Sequence, residues 1–234
     1  MSEDFDLAGA YASARSRISG LVSTAGIDAV ANRIVPATPA WTVHQLVAHL
    51  RGEVADMMDN NLEGAPGDEW TARQVARFAS TPIEVLLREW THDSQFIEAP
   101  LRAGTAGVFA IPCVMDIHAH EQDLRGLFGM PGERTGPFYE WAVPLLGGRI
   151  ADRVSKNGLA PMALVTPLGR FGADDASVTL HVDGWEYTRI AFGRRSVAQI
   201  CRLDWRSADG STVDAAPYAP LLMRFSPATA DLVE

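Results

Sequence analysis

Apolar residues recur at helical spacing through the first two-thirds of the chain, which predicts a set of long helices. Thr42 and Gln45 fit a capping box, in which each side chain satisfies a free backbone N–H, and they mark the start of the second helix. Gly64 and Pro66 follow the end of that helix. The predicted helices cover about residues 4–23, 43–63, 71–78, 81–97, 111–128 and 138–154.

The pattern changes after about Gly158. Residues 162–166 and 177–182 have the composition and alternation of strands. Helical patches follow over residues 185–192 and 196–203, and the tail over 218–225 predicts a final strand. We therefore expect a mainly α protein with an α+β C-terminal part. A helical bundle is predicted over residues 1–155, and a small α+β domain over 156–234.

Composition narrows the class of protein. Hydrophobic residues make up 47% of the chain and charged residues 21%, which is typical of a globular core. A net charge of −9 argues against nucleic acid as a partner, because phosphate binding needs clustered basic side chains. The two cysteines form no disulfide framework, and neither a signal peptide nor a membrane segment is evident. We expect a cytoplasmic monomer or homodimer with no membrane partner.

The helix predicted over residues 111–128 contains the densest set of metal-type side chains. Asp116 and His120 stand four residues apart and share one face, which Asp123 joins three residues later. Cys113 lies on the same face, so this face points toward the core. Burying such groups is costly unless they are paired or bound to a metal. Spacing alone is compatible with a hydrogen-bond network or with a metal site.

His49 is the candidate third ligand. It flanks the apolar stripe of its helix, and Glu53, Asp56 and Asn60 continue the same side. One interpretation is that His49 begins a solvated polar face. The other is that it meets Asp116 and His120 across the bundle. Three protein ligands with one open position are typical of a catalytic zinc site.

Three segments resemble the DinB-like, mycothiol-dependent maleylpyruvate isomerase family. Residues 39–50 (PAWTVHQLVAHL) resemble the start of the family's second helix, whose W-[S/T]-V…L-x-x-H-L pattern places a metal-binding histidine at His49. Residues 116–125 resemble its E-x-x-x-H-x-x-D helix, whose Glu and His complete the site. Residues 192–196 (FGRRS) resemble a turn of its smaller C-terminal domain, which is similar to sterol-carrier folds.

The resemblance implies a DinB-like four-helix bundle that holds Zn²⁺, or another divalent ion, on His49, Asp116 and His120. Asp116 stands where the family has Glu, and its shorter side chain shifts the metal or inserts a water. Asp123 is then a supporting residue that accepts a hydrogen bond from the free nitrogen of His120.

The resemblance also implies an activity. Mycothiol would be the co-substrate, activated as a thiolate that adds to a small electrophilic substrate. Reversal of the addition after bond rotation makes an isomerase, and retention of the adduct makes an S-transferase. Arg194, Arg195 and Arg224 are candidates for binding an anionic thiol cofactor or a substrate carboxylate. Two alternatives stay open: a non-catalytic ligand- or partner-binding module with a structural metal, and a scaffold with a metal-free buried polar cluster.

Overall fold

The computed structural model describes residues 5–234 and divides them into two compact units. One contains Asp6–Pro131 with Glu234, and the other contains Phe5 and Gly132–Val233. The division falls earlier than the predicted boundary at residue 155. The reason is that the two helices following Gly136 pack with the C-terminal elements, as described below.

The first unit is helical, with one short antiparallel hairpin. Its helices are α1 (Leu7–Ala25), α2 (Ile27–Val30), α3 (Val43–Asp59), α4 (Asp68–Arg77), α5 (Ile83–Asp93), α6 (Gln95–Ala103) and α7 (Ala110–Phe128). Its strands are β1 (Ile34–Val35) and β2 (Thr38–Thr42), and a 3₁₀ turn covers Gly107–Phe109. Among the described residues, no helix is long and apolar enough to cross a membrane.

The helices of this unit pack against one another as a bundle. Helix α1 packs against α6 and α7, while α3 packs against α4, α5 and α7. The sequence predicted one helix over 81–97, whereas the structure has two helices, α5 and α6, which are separated by Ser94. The indole N–H of Trp90 donates to the Tyr11 hydroxyl at 3.1 Å, joining α5 to α1 in the fully buried core.

The capping box predicted from the sequence is present at the start of α3. The Thr42 hydroxyl accepts from the Gln45 N–H, and the Gln45 side chain accepts from the Thr42 N–H. The helix ends at Asp59, earlier than the predicted end near Gly64, because Asn60 adopts the left-handed conformation with φ +54°. Asparagine tolerates this conformation better than most residues and so ends helices.

The second unit contains four α-helices, one 3₁₀ turn and a four-stranded sheet. Its helices are α8 (Pro137–Gly147), α9 (Ile150–Lys156), α10 (Gly184–Ala191) and α11 (Val197–Cys201), with a 3₁₀ turn over Ala219–Leu222. Its strands are β3 (Met162–Thr166), β4 (Gly169–Gly172), β5 (Val178–His181) and β6 (Asp204–Ser207). The strand order is β4-β3-β5-β6, with β3 and β5 parallel and the other pairs antiparallel.

Three details of this unit differ from the sequence prediction. The helix predicted over 138–154 is two helices, and α8 packs on α10 while α9 packs on β3 and β4. Strands β4 and β6 were not predicted. The predicted tail strand over 218–225 is wrong: this segment contains the 3₁₀ turn, in which Ala219 and Leu222 are buried.

Candidate metal centre

Three side chains from two helices converge in the interior of the helical unit. His49 comes from α3, and Asp116 and His120 come from successive turns of α7. One ligand atom from each lies within 4.8 Å of the others. The Nε2 of His49 is 3.1 Å from Asp116 Oδ2, and the Nε2 of His120 is 3.5 Å from the same oxygen. The structure thus brings together the three residues that the sequence nominates.

The cluster is buried on the histidine side and open on the carboxylate side. The His49 and His120 side chains are 5% and 4% exposed, whereas that of Asp116 is 28% exposed. Trp41, at the end of β2, lies against both imidazoles, with ring centroids 5.1 Å from His49 and 5.8 Å from His120. The indole therefore shields the two histidines, and a small molecule would reach the cluster beside Asp116.

The second nitrogen of each imidazole is held by a separate partner. His49 Nδ1 lies 2.8 Å from the Gln74 carbonyl oxygen Oε1, and His120 Nδ1 lies 3.0 Å from Asp123 Oδ2. Both partners are acceptors, so each Nδ1 carries the hydrogen and donates it. In this tautomer each Nε2 presents a lone pair. Metal-bound histidines are usually oriented in this way by an acceptor on the other nitrogen.

This arrangement fits a divalent cation. Two Nε2 lone pairs and a carboxylate oxygen converge, and none of these atoms can donate a hydrogen bond to another when the histidines are neutral. A proton on Nε2 or a shared cation would relieve the repulsion. Burial alone would lower the pKa of His49, but the hydrogen bond and charge of Asp116, with the charge of Glu53, raise that pKa to about 9. The cluster therefore favours a positive charge between its members.

Helix α4 supplies the support for His49. The Gln74 side chain is 1% exposed, and its amide nitrogen donates to Asp56 Oδ2 at 2.9 Å. The other oxygen of Asp56 accepts from Asn61 at 2.9 Å. This chain of hydrogen bonds fixes the orientation of the Gln74 amide and so directs its carbonyl to His49. Gly52 makes the close approach of α3 and α4 possible, because a Cβ there would lie 2.5 Å from Gln74 Cβ.

The polar side of α3 is not a solvated face. Glu53 is 9% exposed and Asp56 is 2% exposed, so this interpretation of His49 and its neighbours is wrong. Glu121, on another side of α7, is buried as well, with 2% of its surface exposed. Hydrogen bonds from Arg17 on α1 and from Arg125 one turn later compensate for the burial of this carboxylate.

Glu53 is a buried acid near the cluster, and within residues 5–234 one of its carboxyl oxygens lacks a hydrogen-bond partner. Its Oε2 atom is buried and has no hydrogen-bond partner among the described residues. Burial raises the pKa of Glu53 to about 8, with the charge of Asp116 acting in the same direction and that of His49 opposing it. Cys113, one turn before Asp116, is close enough for Glu53 to affect it. Burial and the charges of Glu53 and Asp116 raise the pKa of this thiol, which keeps it protonated.

Leucine in place of Glu53 is expected to stabilise the metal-free protein by about 1–3 kcal/mol, because it removes a buried polar group without a partner. The raised pKa means that folding is opposed increasingly as pH rises from about 4.5 to 8, since the unfolded chain loses the proton first. The gain should therefore be larger at pH 8 than at pH 5. Urea denaturation at both pH values measures it. Glu63→Leu, at an exposed loop position, is the control and should change stability by less than about 0.5 kcal/mol. A loss of stability in Glu53→Leu would contradict the expectation.

The other predicted site residues have these positions. Asp123 is fully buried beside His120. Arg194, Arg195 and Arg224 lie in the second unit. Arg195 forms a two-pronged ion pair with Glu186, and Arg194 donates to the Phe192 carbonyl. Arg224 is largely exposed, and partial desolvation of its guanidinium, together with the charges of Arg153 and Arg149, lowers its pKa.

Sequence reasoning assigned no site role to Trp41, Gln74 or Glu53. Trp41 was part of a recognised motif, but nothing in the motif shows that its ring meets both histidines. Gln74 follows Trp70 by four residues on an amphipathic helix, so the pair shares a buried face. This position could have predicted a supporting role for Gln74, because a buried side-chain amide requires hydrogen-bond partners.

These features define a helical bundle with a buried His₂Asp cluster, followed by a small α+β unit. Two solved structures have the same fold: mycothiol-dependent maleylpyruvate isomerase and a histidine-to-alanine mutant of that enzyme. The TM-scores are 0.51 and 0.58, respectively. Each is 14% identical in sequence, and each alignment covers 89% of this chain and 94% of the other. No protein-family model matches the sequence, and the comparison with curated proteins finds no match.

Proposed function

We propose that the protein is a metal-dependent enzyme that uses a low-molecular-weight thiol to act on a small electrophilic substrate. The observation that carries the proposal is the convergence of two buried imidazole nitrogens and one partly exposed carboxylate oxygen. Three protein ligands leave room for an exogenous ligand at the metal, which is typical of catalytic sites.

His49, Asp116 and His120 would hold the ion. Their nitrogen and oxygen ligand atoms suit Zn²⁺, and the same set also accepts Fe, Mn or Ni. When bound, the ion would supply Lewis acidity that lowers the pKa of a thiol and favours the nucleophilic thiolate. Gln74 and Asp123 would keep both imidazoles in the Nδ1–H tautomer. Trp41 would exclude water from the histidine side, so a thiol would approach the cluster from the side of Asp116.

The fold shared with a mycothiol-dependent isomerase supports mycothiol as the thiol. Isomerisation and S-transfer are then the two reactions to consider, since both begin with addition of a thiolate to an electrophile. Arg194 and Arg224 keep their proposed role of binding an anionic group of the thiol or the substrate through their guanidinium groups. The cytoplasm is the compartment we expect for such an enzyme.

Metal content and thiol-dependent turnover test this function together. Protein purified without an affinity tag is expected to contain about one divalent ion per chain, measured by inductively coupled plasma mass spectrometry. Metal-loaded protein should then convert maleylpyruvate, or a generic electrophile, faster than mycothiol alone does. A rate equal to the thiol-only background would remove the enzymatic proposal. One ion per chain without turnover, with loss of folding on chelation, would favour the non-catalytic module with a structural metal.

Asparagine in place of Asp123 is expected to weaken metal binding by about 10–100-fold, because His120 loses the anionic acceptor that orients its ring. Competition with a chromophoric chelator measures the affinity. Asp28→Asn, at an exposed position in α2, should retain wild-type affinity. Equal affinity in both variants would mean that Asp123 has only a structural role.

A further inference from the structure

A cavity of about 290 Å³ lies within the helical unit, one turn beyond the metal cluster on both α3 and α7. Glu53 follows His49 by four residues, and Cys113 precedes Asp116 by three; both line the cavity. The remaining walls are apolar and include Met57, Trp70 and Phe109. The cavity is distinct from the cluster, because none of the three candidate ligands lines it.

The size of the cavity is suited to a small organic molecule. An apolar cavity of about 150 Å³ is enough to bind benzene, and pockets for larger ligands begin near about 300 Å³. A single aromatic or aliphatic ring with a short chain would therefore fit. Val108, at the rim, is 82% exposed, so the cavity is accessible from solvent near the 3₁₀ turn.

Glu53 is the feature that selects among such molecules. Its side chain is nine-tenths buried, and its Oε2 atom has no partner in the described part of the chain. Native proteins pair nearly all buried polar atoms, and an unpaired one is commonly satisfied by water or a ligand. A hydroxyl or ammonium group placed here would donate to this oxygen.

An anionic ligand would be disfavoured in the same place. Among the described residues, no lysine, arginine or histidine lines the cavity. The charges of Asp56 and Asp116 both act on Glu53 from nearby, and His49 is the opposing positive charge in its surroundings. Moving a carboxylate into this apolar, negatively charged region would cost far more than moving an alcohol or an amine.

We propose that this cavity is a binding site for a small, mainly apolar molecule that carries one hydroxyl or ammonium group, which donates a hydrogen bond to Glu53. The site requires neither the metal nor the thiol, so it goes beyond the proposed function and does not depend on it.

Isothermal titration calorimetry with four probes of one shape tests the site: 2-phenylethanol, 2-phenylethylamine, ethylbenzene and phenylacetate. The titrations use the full chain, both metal-loaded and metal-free. The association constant of 2-phenylethanol divided by that of ethylbenzene should be about tenfold or more higher in wild type than in Glu53→Leu. The reason is that only wild type offers a carboxyl oxygen that accepts the hydrogen bond of the hydroxyl. The amine should follow the alcohol, and phenylacetate should bind most weakly to wild type.

Two further variants locate the binding. Glu63→Leu, outside the cavity, should keep the wild-type ratio, and Cys113→Leu, which adds volume inside it, should weaken all probes at least fivefold. An unchanged ratio in Glu53→Leu, unchanged binding in Cys113→Leu, or no measurable binding of any probe would each overturn the proposal. Metal content measured on the same samples separates these results from a failure of the proposed function.

Discussion

Alanine at His49 or at His120 is expected to abolish stoichiometric metal binding. Structural zinc sites with four ligands gain about 10–16 kcal/mol, so one ligand accounts for about 2.5–4 kcal/mol, or about 10²–10³-fold in affinity. The loss should exceed the effect of Asp123→Asn, since a ligand is removed rather than reoriented. Because the two histidines come from different helices, each variant tests whether the site spans α3 and α7.

His92→Ala is the matched control for these variants. The His92 side chain is 80% exposed and pairs with Asp93, away from the cluster. It should leave the metal content at the wild-type value of about one ion per chain. If wild type and all three variants carry the same background of metal after reconstitution, the cluster is a buried hydrogen-bond network and the bundle is a scaffold.

Alanine at Gly52 is expected to destabilise the protein by about 1–3 kcal/mol and to weaken metal binding as well. Its Cβ would lie 2.5 Å from Gln74 Cβ and 3.3 Å from Gln74 Cα, so side-chain rotation alone cannot relieve the overlap. Helix α4 must move away, which is the usual cost of overpacking. The same movement carries Gln74 away from His49, so we expect stability and metal affinity to fall together.

Gly20→Ala separates this packing effect from the general effect of replacing glycine in a helix. Gly20 lies in α1, and a Cβ there would have nothing within 4 Å. This variant should gain about 0.5–1 kcal/mol, because alanine is the better helix former, and its metal affinity should be unchanged. Denaturant titrations of both variants provide the comparison. A Gly52→Ala protein as stable as wild type would mean that α3 and α4 are not held at the distance seen here.

Local rules in the sequence were sufficient for several elements. The capping box at Thr42 and Gln45 predicted the start of α3, because both hydrogen bonds lie within four residues. The placement of Asp116, His120 and Asp123 on one face of α7 follows from the helical repeat alone. Strands β3 and β5 were recognised from apolar and alternating residues of the kind that fill a buried sheet.

Contacts between distant segments could not be read in this way. The break between α5 and α6, the paired edge strands β4 and β6, and the division at residues 131 and 132 depend on which elements pack together. For the same reason, the acidic side of α3 was open to the interpretation of a solvated face. Glu53 and Asp56 are buried because α4 and α7 cover them, and the spacing of residues along α3 does not show which helices pack on that side.

The sequence by itself determined that the first part of the chain is helical and that Asp116 and His120 share one face of α7, and it nominated His49 as their partner. The tertiary structure decided how those groups are used. It brought α3 to α7, set Gln74 and Trp41 against the imidazoles, and left Glu53 unpaired beside a cavity. The physical reason is that spacing along a helix selects a face, whereas burial and partners depend on which other helices cover that face.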